Sequence, residues 1–302
     1  MEHQTVTQDG QALPLHLKVH LVSSSVMLGE PIVLRYRLGN TSEQVIAVHM
    51  GRDQKDWLTM SLEGPSITAA APWLDLRLRQ GGIYSTGVRI SPGSSATGCV
   101  VVSQRFLVSQ AGDYQLSLDV SAPYELESQR SRKPPAERTM LAESYAFPLT
   151  VTAAEPTRLR AIAEALWEAA VQGGSRERMM SLEALFSMPE EYALGSWRAT
   201  ASDPRLLHSR VFIADQLERL GTIAAADLLA EMVLNTPSAV ADGLLVEGQA
   251  EADRLPFMFS FSVHRQFHNL YFHADPAVRA HLTKIYTEHG WGVPDRPIII
   301  ID

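Results

Sequence analysis

The sequence predicts a multidomain β + α chain, an antiparallel β-sheet region followed by an α-helical region, on three observations. The hydrophobic period changes near residue 155, from alternation at every second residue to the spacing of an amphipathic helix. Gly, Pro, Asn and Ser cluster between the alternating runs, whereas Pro openings and Gly stops bracket the helical ones. The chain has 302 residues, about twice the ~100–150 residues of a common domain. The predicted division is 1–153 and 154–302.

In chain order the alternating runs are LHLKVHLV (15–22), PIVLRYRLGN (31–40), QVIAVHM (44–50), WLTMSLEG (57–64), GVRISPG (87–93), CVVVSQRFLV (99–108), DYQLSLDVS (113–121) and SYAFPLTVT (144–152). All are rich in β-branched, aromatic or leucine side chains and stop at turn formers such as Gly39-Asn40 and Gly64-Pro65. They predict eight strands, with a long connection over 122–143 between the last two. From Glu155 the pattern is helical. Residues 156–174 start at a proline and end at Gly-Gly, and 175–189 start at a serine cap and end at Pro189. Further helices are expected at 204–220, 222–235, 238–252 and 276–289, with a less regular segment around 260–272. The tail ends in Ile298–Ile301, which predicts a C-terminal β segment over 297–302.

Three phrases carry a resemblance in the first half. Gly-Glu-Pro opens and Asn-Thr-Ser closes the run from Gly29 to Ser42; Ser91-Pro92-Gly93 precedes a strand; Ala111-Gly112-Asp113-Tyr114 opens a late one. Over about the first 150 residues this resembles bacterial immunoglobulin-like β-sandwiches, including cytosolic proteinase-inhibitor-like ones. The resemblance implies fold far more than function, since such sandwiches host many roles. In the second half, 203–221 and 275–290 share an Asp-Pro start, an Arg near the first turn and a Gly finish. That pair resembles HEAT or armadillo-like repeats, with an irregular helical bundle as the alternative.

Charge is unevenly placed. The net charge is -8, of which residues 1–154 carry -1 (13 basic, 14 acidic) and residues 155–302 carry -7 (13 basic, 20 acidic). Within the second half, residues 213–253 hold eight acidic side chains against only Arg219, which argues against a phosphate backbone on that face, so no nucleic acid is expected there. No apolar run reaches the ~20 residues a membrane span needs. The start, MEHQTVTQDGQALP, lacks the basic and apolar regions of a secretory signal, so as written the chain is expected in the cytoplasm, or exported if a signal was removed. With 4 Lys against 22 Arg, composition fits a bacterial source. The single Cys99 lies in an apolar run and is expected to be a small buried hydrophobe.

Chemical motifs are sparse. There is no nucleophile elbow, no Gly-x4-Gly-Lys loop and no Gly-x-Gly-x-x-Gly between a strand and a helix, so no cofactor is expected. His264, His268 and His273 form the one metal-like set, the first two at i, i+4. Arg265 follows His264 where a zinc peptidase needs a glutamate. The carboxylate pairs Asp53/Asp56, Glu125/Glu127 and Glu190/Glu191 are read as solvated turn residues. The first reading is therefore a non-enzymatic protein-binding or scaffold protein. Its candidate contacts are Arg130, Arg132 and Lys133 in the long connection and Asp242, Glu247 and Glu251 on the acidic helical surface. Two alternatives are a metal-dependent hydrolase using the three histidines and an inhibitor or immunity-type protein neutralising a basic partner.

Overall fold

A computed structural model describes residues 14–49, 57–69, 88–126, 139–235, 263–272 and 274–295. The chain forms two compact units, Met1–Glu155 and Pro156–Asp302.

The first unit is built from antiparallel strands with one parallel pair. β1 (Leu15–Leu21), β3 (Val33–Asn40) and β8 (Ser95–Val101) form one sheet in the order β1-β3-β8. A second sheet runs β2 (Ser25–Met27), β11 (Thr139–Thr152), β10 (Gly112–Leu126), β4 (Ile46–Val48), β7 (Val88–Ile90), and β5 (Leu58–Glu63) also pairs with β10. β6 (Ile67–Ala69) and β9 (Phe106–Val108) make a separate ribbon. Between Leu21 and Ser25 the chain passes from the first sheet to the second, where β2 lies parallel to β11. Period-two alternation on β10 buries Tyr114, Leu116, Leu118, Val120, Ala122 and Tyr124. These meet Leu17, Leu34, Leu38 and Val100 of the first sheet in one core.

Two turns are held by named side chains. Asn40, 2% exposed, donates from Nδ2 to the carbonyls of Gln44 (2.7 Å) and Ile90 (2.8 Å) and accepts from the Ser42 N–H (2.9 Å) and hydroxyl (2.7 Å). Every polar atom of a buried amide is thus satisfied. Tyr114 donates its hydroxyl to the Gln110 carbonyl (2.7 Å), closing the turn that opens β10.

β2 and β6 lie outside every predicted run, and the strand expectations need three further corrections. β10 and β11 are longer than predicted, pairing from Gly112↔Val151 to Tyr124↔Thr139, so 122–126 and 139–143 are strand. The run 99–108 breaks at a 3-10 turn over Val102–Gln104, where Val102 is buried and donates to Ile32 O (2.8 Å). Cys99 is half-buried, paired opposite Arg35.

The second unit is helical. α1 (Pro156–Gln172) buries Leu159, Ala163 and Ala170; α2 (Ser175–Phe186) follows after Gly173-Gly174. α2 ends at Phe186 and α3 (Glu190–Ser202) begins just past Pro189, a helix that the sequence pattern does not predict. Proline ends α2 through the restriction on its predecessor, yet its own fixed φ of -59° leads straight into the next helix. Acidic Glu190 and Glu191 suit the positive end of that helix. α4 (Arg210–Leu220) is preceded by a 3-10 turn over Pro204–Ser209, so the expected helix 204–220 is two elements. Gly221, with φ 61°, ends α4 in the left-handed conformation that glycine tolerates best. α5 (Ile223–Leu234) is capped by Thr222, α6 spans 263–272, and α7 (Pro276–Glu288) is capped by Asp275, whose carboxylate accepts from the N–H groups of Ala277 (2.8 Å) and Val278 (2.9 Å). The repeated Asp-Pro phrase folds in two ways, since Asp203 holds Arg205 (2.6 Å) over a 3-10 turn. The predicted helix 238–252 and the tail segment 297–302 lie outside the described residues. No described helix is long and apolar enough to cross a membrane.

Candidate functional site

The residues singled out by sequence are divided by the structure. His264 and His268 sit one turn apart on α6, half-buried, and His273 lies outside the described residues. The His268 ring packs on Phe272 (5.8 Å), within an aromatic cluster in which Phe267 stacks on Tyr286 (5.2 Å) and meets Trp291 edge-on (5.9 Å). Among the described residues no group of three or more His, Cys, Asp or Glu could hold a metal ion. Arg130, Arg132, Lys133, Asp242, Glu247 and Glu251 all lie outside the described residues, as do Asp53 and Asp56.

Of the carboxylates read as solvated, Glu125 is buried, whereas Glu191 is exposed as expected. Glu125 is 4% exposed, because the longer β10 carries it into the sheet beside β4, and its Oε1 lies 3.1 Å from His49 Nε2. Glu191 opens α3 and accepts a hydrogen bond from the Tyr192 hydroxyl, which raises that phenol above its ordinary range.

A groove of about 430 Å³ lies between α1 and α3. Arg160, Glu164, Trp167 and Glu168 form one wall, at the i, i+4, i+7, i+8 spacing of a single helical face. Glu191, Tyr192, Gly195 and Ala199 form the other at i, i+1, i+4, i+8. The opposite face of α3 is anchored by Trp197, which stacks on Phe186 of α2 (5.9 Å) and donates to Leu185 O (3.0 Å). Burying one face of α3 against α2 turns the other toward α1. A Cβ built on Gly195 meets nothing within 4 Å, so the wall is open at that point. The indole N–H of Trp167 is buried with no hydrogen-bond partner. The groove is near the small end of the ~300–1,000 Å³ range of ligand pockets, with aromatic rings and rim charges but no nucleophile–base pair.

Deeper in the unit, α4 carries charge inward. Arg219 holds Asp215 (2.7 Å) with both side chains mostly buried. Glu183 of α2 feels the same guanidinium; burial pushes its carboxyl up to about 7 and Arg219 pulls it back in part. Glu218 is 3% exposed and accepts from the Gln266 amide of α6, whose oxygen in turn accepts from Arg265 (3.3 Å) in the orientation that satisfies both neighbours. The Glu218–Gln266 hydrogen bond ties α4 to α6.

No protein-family model matches the chain, and no curated protein does. Solved structures similar to it include the ASH/PapD-like domain of human CEP192, at 13% identity over 51% of this chain and 99% of that one, with a TM-score of 0.26. A β-glucosidase from Listeria innocua in complex with isofagomine is 13% identical over 48% of this chain and 17% of its own, with a TM-score of 0.21. The native conformation of E. coli alpha-2-macroglobulin is 8% identical over 93% of this chain and 25% of its own, with a TM-score of 0.27. Likeness at these scores assigns neither activity nor partner.

Proposed function

We propose that the chain is a non-enzymatic protein-binding protein whose contact site is the groove between α1 and α3. In this reading residues 1–153 are an immunoglobulin-like sandwich and residues 154–302 a HEAT-like helical domain with a C-terminal β segment. Support for the sandwich comes from the single core shared by two sheets, the passage of the chain between them after β1, and the Tyr114 hydroxyl tied back to Gln110. Support for the helical reading comes from neighbours: α1 to α5 each pack on the next helix and, where one follows within that run, the next but one, as stacked hairpins do.

The groove carries the proposal. It pairs aromatic side chains with charged rims on helical walls, the composition of a protein or peptide contact. A Gly195→Trp variant fills the groove from an exposed helical position without displacing any atom near its Cβ. A random peptide library panned on the full chain is expected to yield clones that bind the native protein and not this variant. Equal recovery on both chains refutes the reading.

A further inference from the structure

We infer that the groove between α1 and α3 takes a basic segment, one presenting an Arg or Lys side chain beside an apolar one. This rests on the groove being the contact site, and adds the chemistry of its occupant. Three carboxylates, Glu164, Glu168 and Glu191, stand at the rim against one guanidinium, Arg160. Glu164 and Glu168 are exposed on α1, about 6 Å apart along its axis at 1.5 Å per residue. Neither has an ion-pair partner among the described residues. On the other wall the Tyr192 hydroxyl already occupies Glu191.

Aromatic rings in a groove rimmed on α1 by two unpaired carboxylates suit a cation. A guanidinium or ammonium entering the groove reaches the rings of Trp167 and Tyr192, where the π-face attracts it, and exchanges water for Glu164 or Glu168 at the rim. Leu194 and Ala199 offer the apolar contact for the stem or for a neighbouring side chain. An acidic segment or a phosphate would meet like charge on both walls. The net charge of -7 over residues 155–302 adds a field that draws basic partners to this unit.

The test is a random peptide library panned separately on the full-length native chain, on Gly195→Trp, and on Glu164→Lys/Glu168→Lys. Both charge reversals are at exposed positions, so that variant keeps its fold, checked by its far-ultraviolet spectrum. The expected result is recovery of clones enriched in Arg and Lys on the native chain alone. Synthetic copies should bind the charge-reversed chain at least about fivefold more weakly, and the native chain more weakly as salt rises. Clones lost on Gly195→Trp but without basic residues, or bound equally by the charge-reversed chain, overturn the basic occupant and leave the groove reading standing. Clones that do not distinguish native from Gly195→Trp overturn both.

Discussion

Replacing Glu183 by glutamine removes a carboxyl whose proton the buried site retains up to about pH 7, so the effect depends on pH. In the unfolded chain the group releases its proton near 4.5, whereas in the folded unit burial between α2 and α4 defers release to about 7. Below pH 4 both states are protonated and the group contributes nothing. Between 4.5 and 7 the unfolded state ionises first, so the native chain loses stability as pH rises, and the whole loss is in place above 7. At 1.36 kcal/mol per pH unit the displacement corresponds to about 3 kcal/mol, and partial exposure of the residue trims this to about 2–3 kcal/mol. The glutamine amide has no proton to lose. Urea unfolding followed at 222 nm, a signal dominated by helix, is therefore expected to give Glu183→Gln and native chains similar stability at pH 4. At pH 8 the variant should be more stable by about 2–3 kcal/mol. A difference that does not change with pH, or a variant less stable at pH 8 because Arg219 had been holding an ionised Glu183, refutes the reasoning.

Three further substitutions probe other elements. Gly195→Ala places a methyl in open space on an exposed helical position and should stabilise the helical unit by about 0.5–1 kcal/mol, read as a higher urea midpoint. Asn40→Ala deletes four hydrogen bonds and leaves the Ile90 carbonyl without its donor; a loss of about 2–3 kcal/mol is expected, with faster amide exchange across β3, β4 and β7. Asp275→Ala removes the acceptor for two N–H groups at the start of α7 and should cost about 1 kcal/mol, with the exchange change confined to the first turn of that helix.

Much of the secondary structure is readable because it is written in local spacing. The strands around 15–21, 33–40 and 58–63 and the helices over 156–172 and 276–288 follow from period, turn residues and caps that act within a few positions. The misreadings also have local causes. Much of the predicted connection 122–143 is strand, because polar residues on the exposed face of a long hairpin look like loop when its pairing is unseen. α3 is hidden in the sequence because Pro189 signals the end of one helix as strongly as the start of the next, and because Gly195, Ser196, Thr200 and Ser202 dilute its helical signal. Without α3 one wall of the groove is invisible, although the acidic character of the second half is plain from counting.

Period and punctuation along the chain suffice to divide it into a β region and a helical region, because a residue's place on a strand or helix face is set by its neighbours in sequence. Which polar groups are enclosed depends on residues far away, so it is a tertiary matter. Glu125 reads as a solvated turn carboxylate until β4 pairs beside it, Glu183 of α2 is buried where the Arg219 guanidinium of α4 reaches it, and Trp57, at the head of a predicted strand, becomes a core residue against Tyr36 (5.4 Å). The groove has the same origin. Its two walls are each ordinary amphipathic faces, and it exists because Trp197 pins one side of α3 to α2 and leaves the other facing α1.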